Sequence, residues 1–564
     1  MNNIILLLLS TIIAIYLGFF AFDSSEMWFF YANYIYYFIS IIFFLWLYLV
    51  IKPISKEKIL NFLNTHKIAL ISSAILVFLF FFICPPEYRV LADETSFLGT
   101  SKGFFENNSA FINIEELNFW GQRQTIQIAL DKRFVLFPYF LSILHSLKGF
   151  SLFNAYILNG VVSFGCLFLL YYLVQNLFGK FYAYIAQIFL AIYPLFVQYS
   201  MSAGYDVFSL FWALLAFAIF CHYLKNKSLH YGELLLYTVA LLAYTRYECS
   251  VMAILILPIM LFILDRKEFN QLSIKIAIYP LLFIPIAWIM FFATTDKYLQ
   301  QMGSTEKSFS FQYFQENLFN ALYYFSGWDK DQNSVFLIAL LALLSVFVLI
   351  YHYLVHKETL ITKIKEYKYQ LLVLGIFLIT QMAIKFSYVY GDLTLSLNAR
   401  LGISFLPYII IFSIYFIKSI LDIKPQYKLT VIIIIFFMVI NYWSKAQSSF
   451  KQENYGYKYF KILTDFLSEK CRNKDDYLIA FSFSDYLAPL NYNVINITNL
   501  NKNFNEIKSY ITQKKYWKEL IIIQIIEDGM IQKQSEINKE IKTEILYEKA
   551  AYDHIYIRFS KMKI

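Results

Sequence analysis

Apolar runs about as long as a bilayer is thick recur along almost the whole chain, and they limit its fold more than any other feature. A helix needs about 20 apolar residues to cross the hydrocarbon core. Runs of suitable length occupy 3–22, 28–51, 68–84, 152–175, 181–200, 205–224, 276–294, 334–355, 369–388, 400–418 and 428–443. Two shorter runs, 231–246 and 250–264, flank the tetrad Arg246-Tyr247-Glu248-Cys249 and read as two spans meeting in a tight turn. The expectation is an α-helical polytopic membrane protein of about thirteen transmembrane helices. Composition agrees: 59% of the 564 residues are apolar and 15% charged, against roughly 45–50% and 25% in soluble domains. The five cysteines form no metal or redox pair, and their odd number implies no disulfide framework.

The net charge of +9 reflects topology more than a nucleic-acid partner. Alternate loops carry Lys52, Lys56, Lys58 and Lys67; Lys180; Lys225 and Lys227; Arg266, Lys267 and Lys275; Lys357, Lys363, Lys365 and Lys368; and Lys418, Lys424 and Lys428. The opposite short loops, 23–27 and 201–205, carry no Lys or Arg. The positive-inside rule then places the N-terminus in the cytoplasm of a cell (inner) membrane. The first run lacks a basic lead and a small-residue cleavage site, so it reads as a helix, not a signal peptide. Three long segments face outward: the 85–151 loop, the 295–333 loop and the tail after about 445. Within the first, 134–147 is short, contains Pro138 and reads as a juxtamembrane helix. The tail carries strand-like runs at 477–483, 520–526 and 554–560 and an amphipathic stretch at 458–470. That predicts a small extracytoplasmic α/β domain over 446–564.

Charges without a topological role are candidates for function, because ionisable groups near the membrane are costly. Asp93 and Glu94, in YRVLADETSF, read as a solvated pair, a general base or a metal-binding pair. Asp206 opens a span, where it suits the helix N-terminus, and capping is compatible with a second role. Arg246 and Glu248 either pair with each other or leave the guanidinium to grip a lipid phosphate. Arg400 has no acidic neighbour in sequence closer than Asp392, whereas Lys385 is near enough to a helix end to snorkel. Arg123, Lys132 and Arg133 could contact a phosphate or lipid headgroups. His352 and His356 have ligand spacing without a third partner. A phosphate-cradling Gly-rich loop, a nucleophile elbow and a zinc protease signature are all absent from the sequence.

The order of these features, joined by NAYILNGVV and YYLVQNLFGK, resembles the membrane-embedded GT-C glycosyltransferases. The likeness is to the branch of protein O-mannosyltransferases and the lipid A aminoarabinose transferase. It covers 68–445 as a transmembrane module, leaving 1–67 as a two-helix addition. The resemblance implies transfer of a sugar from a polyprenyl phosphate donor to a lipid, glycan or protein acceptor on the outer face. It implies Asp93 as base, with Glu94 or Asp206 positioning the acceptor, the base or a metal. Arg246, in Thr245-Arg246, and Arg400, before Pro407, would lie near the carrier phosphate. Arg133 takes the place of a basic residue before a Pro-Pro-Leu segment, Arg123 is a further phosphate candidate, and Glu248 and Lys385 are supporting. Here the family's Tyr after the acidic pair is Phe97, its prolines reduce to Pro138 in RFVLFPYF, and its late motif reads RLGISFLP. Metal dependence differs among relatives, so a divalent metal is left open. The rival readings are a lipid-linked sugar flippase, an O-antigen polymerase or ligase, and a membrane scaffold. Paired halves typical of transporters are not evident in the sequence.

Overall fold

The computed structural model describes residues 2–119, 122–263, 275–295, 309–326, 335–395, 397–453, 455–513, 516–552 and 554–563. Arg266 and Lys267, and most of the 295–333 loop, lie outside the described residues. Among the described residues, nine helices are long and apolar enough to span a membrane, a bent pair makes a tenth, and three shorter apolar helices are Ile5–Phe19, Leu229–Ala243 and Tyr247–Ile263. Each corresponds to one of the apolar runs. This is a multi-pass membrane protein.

The chain opens with α1 (Asn2–Phe19), α2 (Ser24–Ile51) and α3 (Lys56–Ile83). A capping box closes the short link into α2: Asp23 accepts from the N–H groups of Ser25 and Glu26, and the Glu26 carboxylate accepts from the Asp23 N–H. The third helix begins at Lys56, a full three turns before its apolar run. The first long loop holds α4 (Leu91–Asn107), the hairpin β1 (Phe111–Phe119) and β2 (Gln122–Leu130), and α5 (Leu136–Lys148), the expected short helix with Pro138 in its first turn.

Next come α6 (Phe153–Phe178), α7 (Lys180–Ala191) and α8 (Pro194–Ser200). The sequence reads 181–200 as one span, but the chain bends by 69° between α7 and α8. Pro194 lacks an amide proton and disfavours helix in the preceding residue, so the ladder restarts there. Helices α9 (Asp206–Asn226), α10 (Leu229–Ala243) and α11 (Tyr247–Ile263) follow, and α10 and α11 meet at the expected tight turn containing Arg246. The later helices are α12 (Ile284–Thr295), α13 (Phe314–Ser326), α14 (Phe336–Val355), α15 (Lys357–Glu366), α16 (Lys368–Phe386), α17 (Leu406–Ile423) and α18 (Lys428–Glu453).

The tail begins with α19 (Tyr455–Lys470) and adds β3 (Tyr477–Phe481), β4 (Asn493–Ile495), α20 (Ile497–Lys502), α21 (Phe504–Thr512), β5 (Glu519–Glu527), β6 (Met530–Ile531), β7 (Thr543–Tyr552) and β8 (Ile555–Met562). The three strand-like runs are β3, β5 and β8. Alternate residues of β3 and β5 supply two apolar cores: Ile479, Phe481, Ile521 and Ile523 pack with Leu463 and Leu467 of α19, while Leu478, Ala480 and Ile522 pack with Leu500 and Phe504. The sheet is not confined to the tail. Its order is β2-β1-β4-β3-β5-β8-β7, with β6 beside β5. The first-loop hairpin therefore extends the tail sheet, through an antiparallel pairing of Glu116 with Val494. One sheet built from both segments puts the first loop and the tail on the same side of the helical bundle.

Candidate active site

Asp93 and Glu94 lie in the first turn of α4, where the helix N-terminus favours negative charge. They are not a solvated loop pair. Glu94 points inward, 1% exposed, and accepts from the backbone N–H groups of Arg89, Val90 and Ala203. Burial raises its carboxyl to about 7 against the pull of those donors. Asp93 faces two cations. Arg133 Nε donates to Asp93 Oδ1 at 2.9 Å, a second Arg133 nitrogen reaches the same oxygen, and Arg400 Nη1 lies 2.5 Å from Oδ2. Burial opposes the charge on Asp93, but Arg400 and Arg133 outweigh it and hold the carboxyl well below the usual carboxylate range.

Arg133 also donates to Asp131 Oδ1 at 2.8 Å, a carboxylate that sequence reading passed over although it stands two residues away. The segment carrying both is fastened to the α10–α11 turn, where Tyr247 Oη donates to the Lys132 carbonyl and the Leu136 N–H donates to the Tyr244 carbonyl.

A second group of charges lies beside the first. Arg246 pairs with Asp206 and donates from Nε to Glu248 Oε1 at 2.7 Å, and its guanidinium sits 4.7 Å from the centre of the Tyr205 ring. Asp206 does not cap α9: the capping position belongs to Tyr205, which makes no side-chain cap, and the Asp206 carboxylate turns across to Arg246 instead. Its other oxygen, Oδ2, is buried without a hydrogen-bond partner. The loop before it is held by Asn159 of NAYILNG, whose amide donates to the carbonyls of Ser202 and Gly204. The Arg246–Glu248 pair, one of the two readings of the sequence, is present, with Asp206 as an additional partner.

Lys385 does not snorkel. It is buried and points inward to Glu248 Oε1 at 3.2 Å, the Leu401 carbonyl at 2.8 Å and Ser404 Oγ at 2.7 Å. Asp206 and Glu248 share Arg246 between them, so Lys385 supplies the second positive charge inside the protein in place of reaching the surface. Ser404 in turn donates to Gln381.

Arg123 is the candidate that stands apart. It donates to the Asn491 carbonyl at 2.8 Å and lies 3.6 Å from Glu116, at the junction of hairpin and tail. His352 and His356 lie with ring centres 5.7 Å apart and tilted by 43°, and among the described residues no three His, Cys, Asp or Glu side chains gather to hold a metal ion. Asp93, with both oxygens taken by guanidinium groups, offers no open ligand for one.

Asp206, Arg246, Glu248, Lys385 and Arg400 line one end of a groove. Its walls continue as Leu210, Ala213 and Phe217 of α9, Leu374 and Phe377 of α16, and Tyr408 and Ile411 of α17. The groove thus has a charged head and an apolar shaft, set among membrane-spanning helices. Residues 132–291 match the family model described as dolichyl-phosphate-mannose-protein mannosyltransferase. The likeness implied by the motifs is to this family. The matched stretch carries Arg133, Asp206, Arg246 and Glu248, whereas Asp93 and Arg400 lie outside it. Comparison with curated proteins finds no match. Among solved structures, the Archaeoglobus fulgidus oligosaccharyltransferase in the apo form is similar at 12% identity and a TM-score of 0.47, over 81% of this chain and 69% of its own. ArnT from Cupriavidus metallidurans is similar in the apo state (10% identity, TM-score 0.46) and bound to undecaprenyl phosphate (9%, 0.47), each over 88% of this chain and 98% of its own.

Proposed function

We propose that the chain is a glycosyltransferase of the cell (inner) membrane that moves a sugar from polyprenyl (undecaprenyl) phosphate to an acceptor hydroxyl on the outer face. The observation that carries this reading is the groove: a cationic head suited to a phosphate, continuous with an apolar shaft suited to an isoprenoid chain. The family match over residues 132–291 supports the same class. The N-terminus is cytoplasmic in this reading, and the site, the first loop and the tail domain lie outside. Residues 68–445 form the transferase module, 1–67 an added helix pair and 446–564 the outer domain.

The donor phosphate lies against Arg246 and Arg400, with Lys385 behind them, and the lipid runs down between α9, α16 and α17. Asp93 takes the proton of the acceptor hydroxyl. The acceptor oxygen bonds to the anomeric carbon as the carbon–oxygen bond to phosphate breaks, and that electron pair leaves on the phosphate. The result is a single displacement with inversion. Arg246 and Arg400 stabilise the charge that builds on the leaving group. Asp206 Oδ2, buried and unpartnered, accepts a hydroxyl of the sugar, and Glu94 fixes α4 so that Asp93 faces the site.

The test is release of labelled sugar from undecaprenyl phosphate by membranes carrying the wild type or Asp93→Asn. Release by the wild type, reduced at least about a thousandfold in the variant, supports transfer with Asp93 as base. Equal release by both removes Asp93 from the mechanism. Lipid movement across vesicles without sugar release would replace the transferase with a flippase.

A further inference from the structure

Arg400 belongs to two places at once. It lines the head of the groove, and it closes an ion pair on Asp93 Oδ2 at 2.5 Å. Asp93 itself does not line the groove, and its other oxygen is held by Arg133. A carboxylate with both oxygens bonded to guanidinium groups is a poor proton acceptor, so in this arrangement the proposed base is disarmed. A phosphate entering the head of the groove meets the same guanidinium and competes for it with the same bidentate chemistry. Arg133 differs from Arg400, because it already has Asp131 as a second carboxylate at 2.8 Å and can lean on it when Asp93 is engaged elsewhere.

Resting on the donor reading above, we infer that the donor phosphate takes Arg400 away from Asp93, so that occupancy of the groove arms the base. The order of events is then built into the site. Lipid phosphate binds first, the Asp93–Arg400 pair opens, and only then does the acceptor hydroxyl find a carboxylate able to take its proton. An enzyme without donor would hold an inert Asp93. Arg400 thus acts as a positioning residue for the base as well as a contact for the phosphate.

The exchange has a consequence for binding that a fixed pair lacks. Part of the lipid's binding energy is spent on breaking the Asp93–Arg400 pair, so removing Asp93 frees Arg400 in advance. The experiment is a double-mutant cycle on the full-length protein in nanodiscs, with undecaprenyl phosphate as the probe. Wild type, Asp93→Asn, Arg400→Gln and the double variant are compared. The same cycle is run in parallel with Asp93→Ser, so that one misfolding variant does not remove the test. The expected result is that Asp93→Asn binds about tenfold more tightly than wild type, while in the Arg400→Gln background the same change alters affinity by less than about twofold. Unchanged affinity in Asp93→Asn overturns the exchange. So does tightening that persists without Arg400, which reports only the loss of a negative charge near an anion. In both of these outcomes the wild type binds the lipid and the donor reading stands. If no variant and no wild type binds undecaprenyl phosphate, the donor reading falls, and the exchange falls with it.

Discussion

Helix α4 carries an ion pair at each end, buried at the C-terminal end and partly buried at the N-terminal end, and the two serve different purposes. Near its C-terminal end, Lys102 is buried against Glu116 of β1 at 2.9 Å, with Asn491 Oδ1 at 2.7 Å and the Ala488 carbonyl at 3.5 Å. Every hydrogen-bond partner belongs to the hairpin or the tail, the Phe150 ring lies 5.9 Å away, and none of these residues lines the groove. At its N-terminal end, Asp93 meets Arg133 and Arg400, one of which also faces a groove with an unpartnered carboxylate oxygen beside it. What separates the two is where their members face: the buried pair meets only protein, and the partly buried one shares Arg400 with the groove. A saturated pair facing only protein locks two segments together, whereas a pair that shares a member with a cavity can be opened by a ligand.

The largest effect that would sharpen this contrast is on stability. Lys102→Met leaves Glu116 buried with only the more exposed Arg123 beside it, and unfolding stability should fall by about 3–5 kcal/mol. Adding Glu116→Leu should recover most of that loss in thermal unfolding, with turnover per folded molecule nearly unchanged throughout. At the groove the balance reverses. Arg246→Gln should cost turnover about a hundredfold or more per folded molecule, the usual scale for removing one charge-stabilising group, as measured by sugar release. Equal losses of stability and turnover at the Lys102 cluster and at the groove would erase the distinction.

Glu94 gives a pH-dependent version of the comparison. Its carboxyl is raised to about 7 in the fold from an ordinary 4.5, so the folded state holds a proton that the unfolded state releases. Its stabilising contribution is present below pH 4.5 and is lost as pH rises through about 7, amounting to at most about 3 kcal/mol. Thermal unfolding followed from pH 5 to 8 should show that decline in the wild type and lose it in Glu94→Gln. The smallest effect concerns the shaft. Ala213→Trp should fill the apolar part of the groove and weaken binding of undecaprenyl phosphate by about tenfold, with much less effect on a short-chain polyprenyl phosphate. A similar loss for both chain lengths would mean that the lipid does not lie there.

The spans were legible because a bilayer imposes a length and a hydrophobicity that local sequence must meet, so each apolar run became helical, 181–200 as a bent pair. Three strands of the tail, β3, β5 and β8, were legible for the same kind of reason, as short apolar runs, whereas β4, β6 and the mostly exposed β7 were not. The break at Pro194 and the turn at Arg246 also rest on local chemistry, though the depth of the 69° bend does not. The hairpin 111–130 gave a weaker signal: β2 is largely exposed and polar, and its place was set by pairing with a tail strand far away in sequence.

The candidate site divides along the same line. That Asp93, Asp206, Arg246, Glu248 and Arg400 were candidates could be seen from charge and position alone, beside ordinary readings as a solvated pair, a helix cap and a mutual ion pair. Apart from the Arg246–Glu248 pair, their partners could not. Arg400 finds Asp93 three hundred residues earlier, Asp131 shares Arg133, and Lys385 turns inward to Glu248. Arg123, equally basic and in the same loop as Arg133, goes to the tail junction instead. Which cation meets which carboxylate depends on how helices and loops distant in sequence are packed, and only the tertiary structure decides that. The sequence by itself determined a polytopic helical protein with an appended α/β domain and a short set of misplaced charges. The fold decided which of those charges share a groove, because burial makes each one take a partner and packing determines the partners within reach.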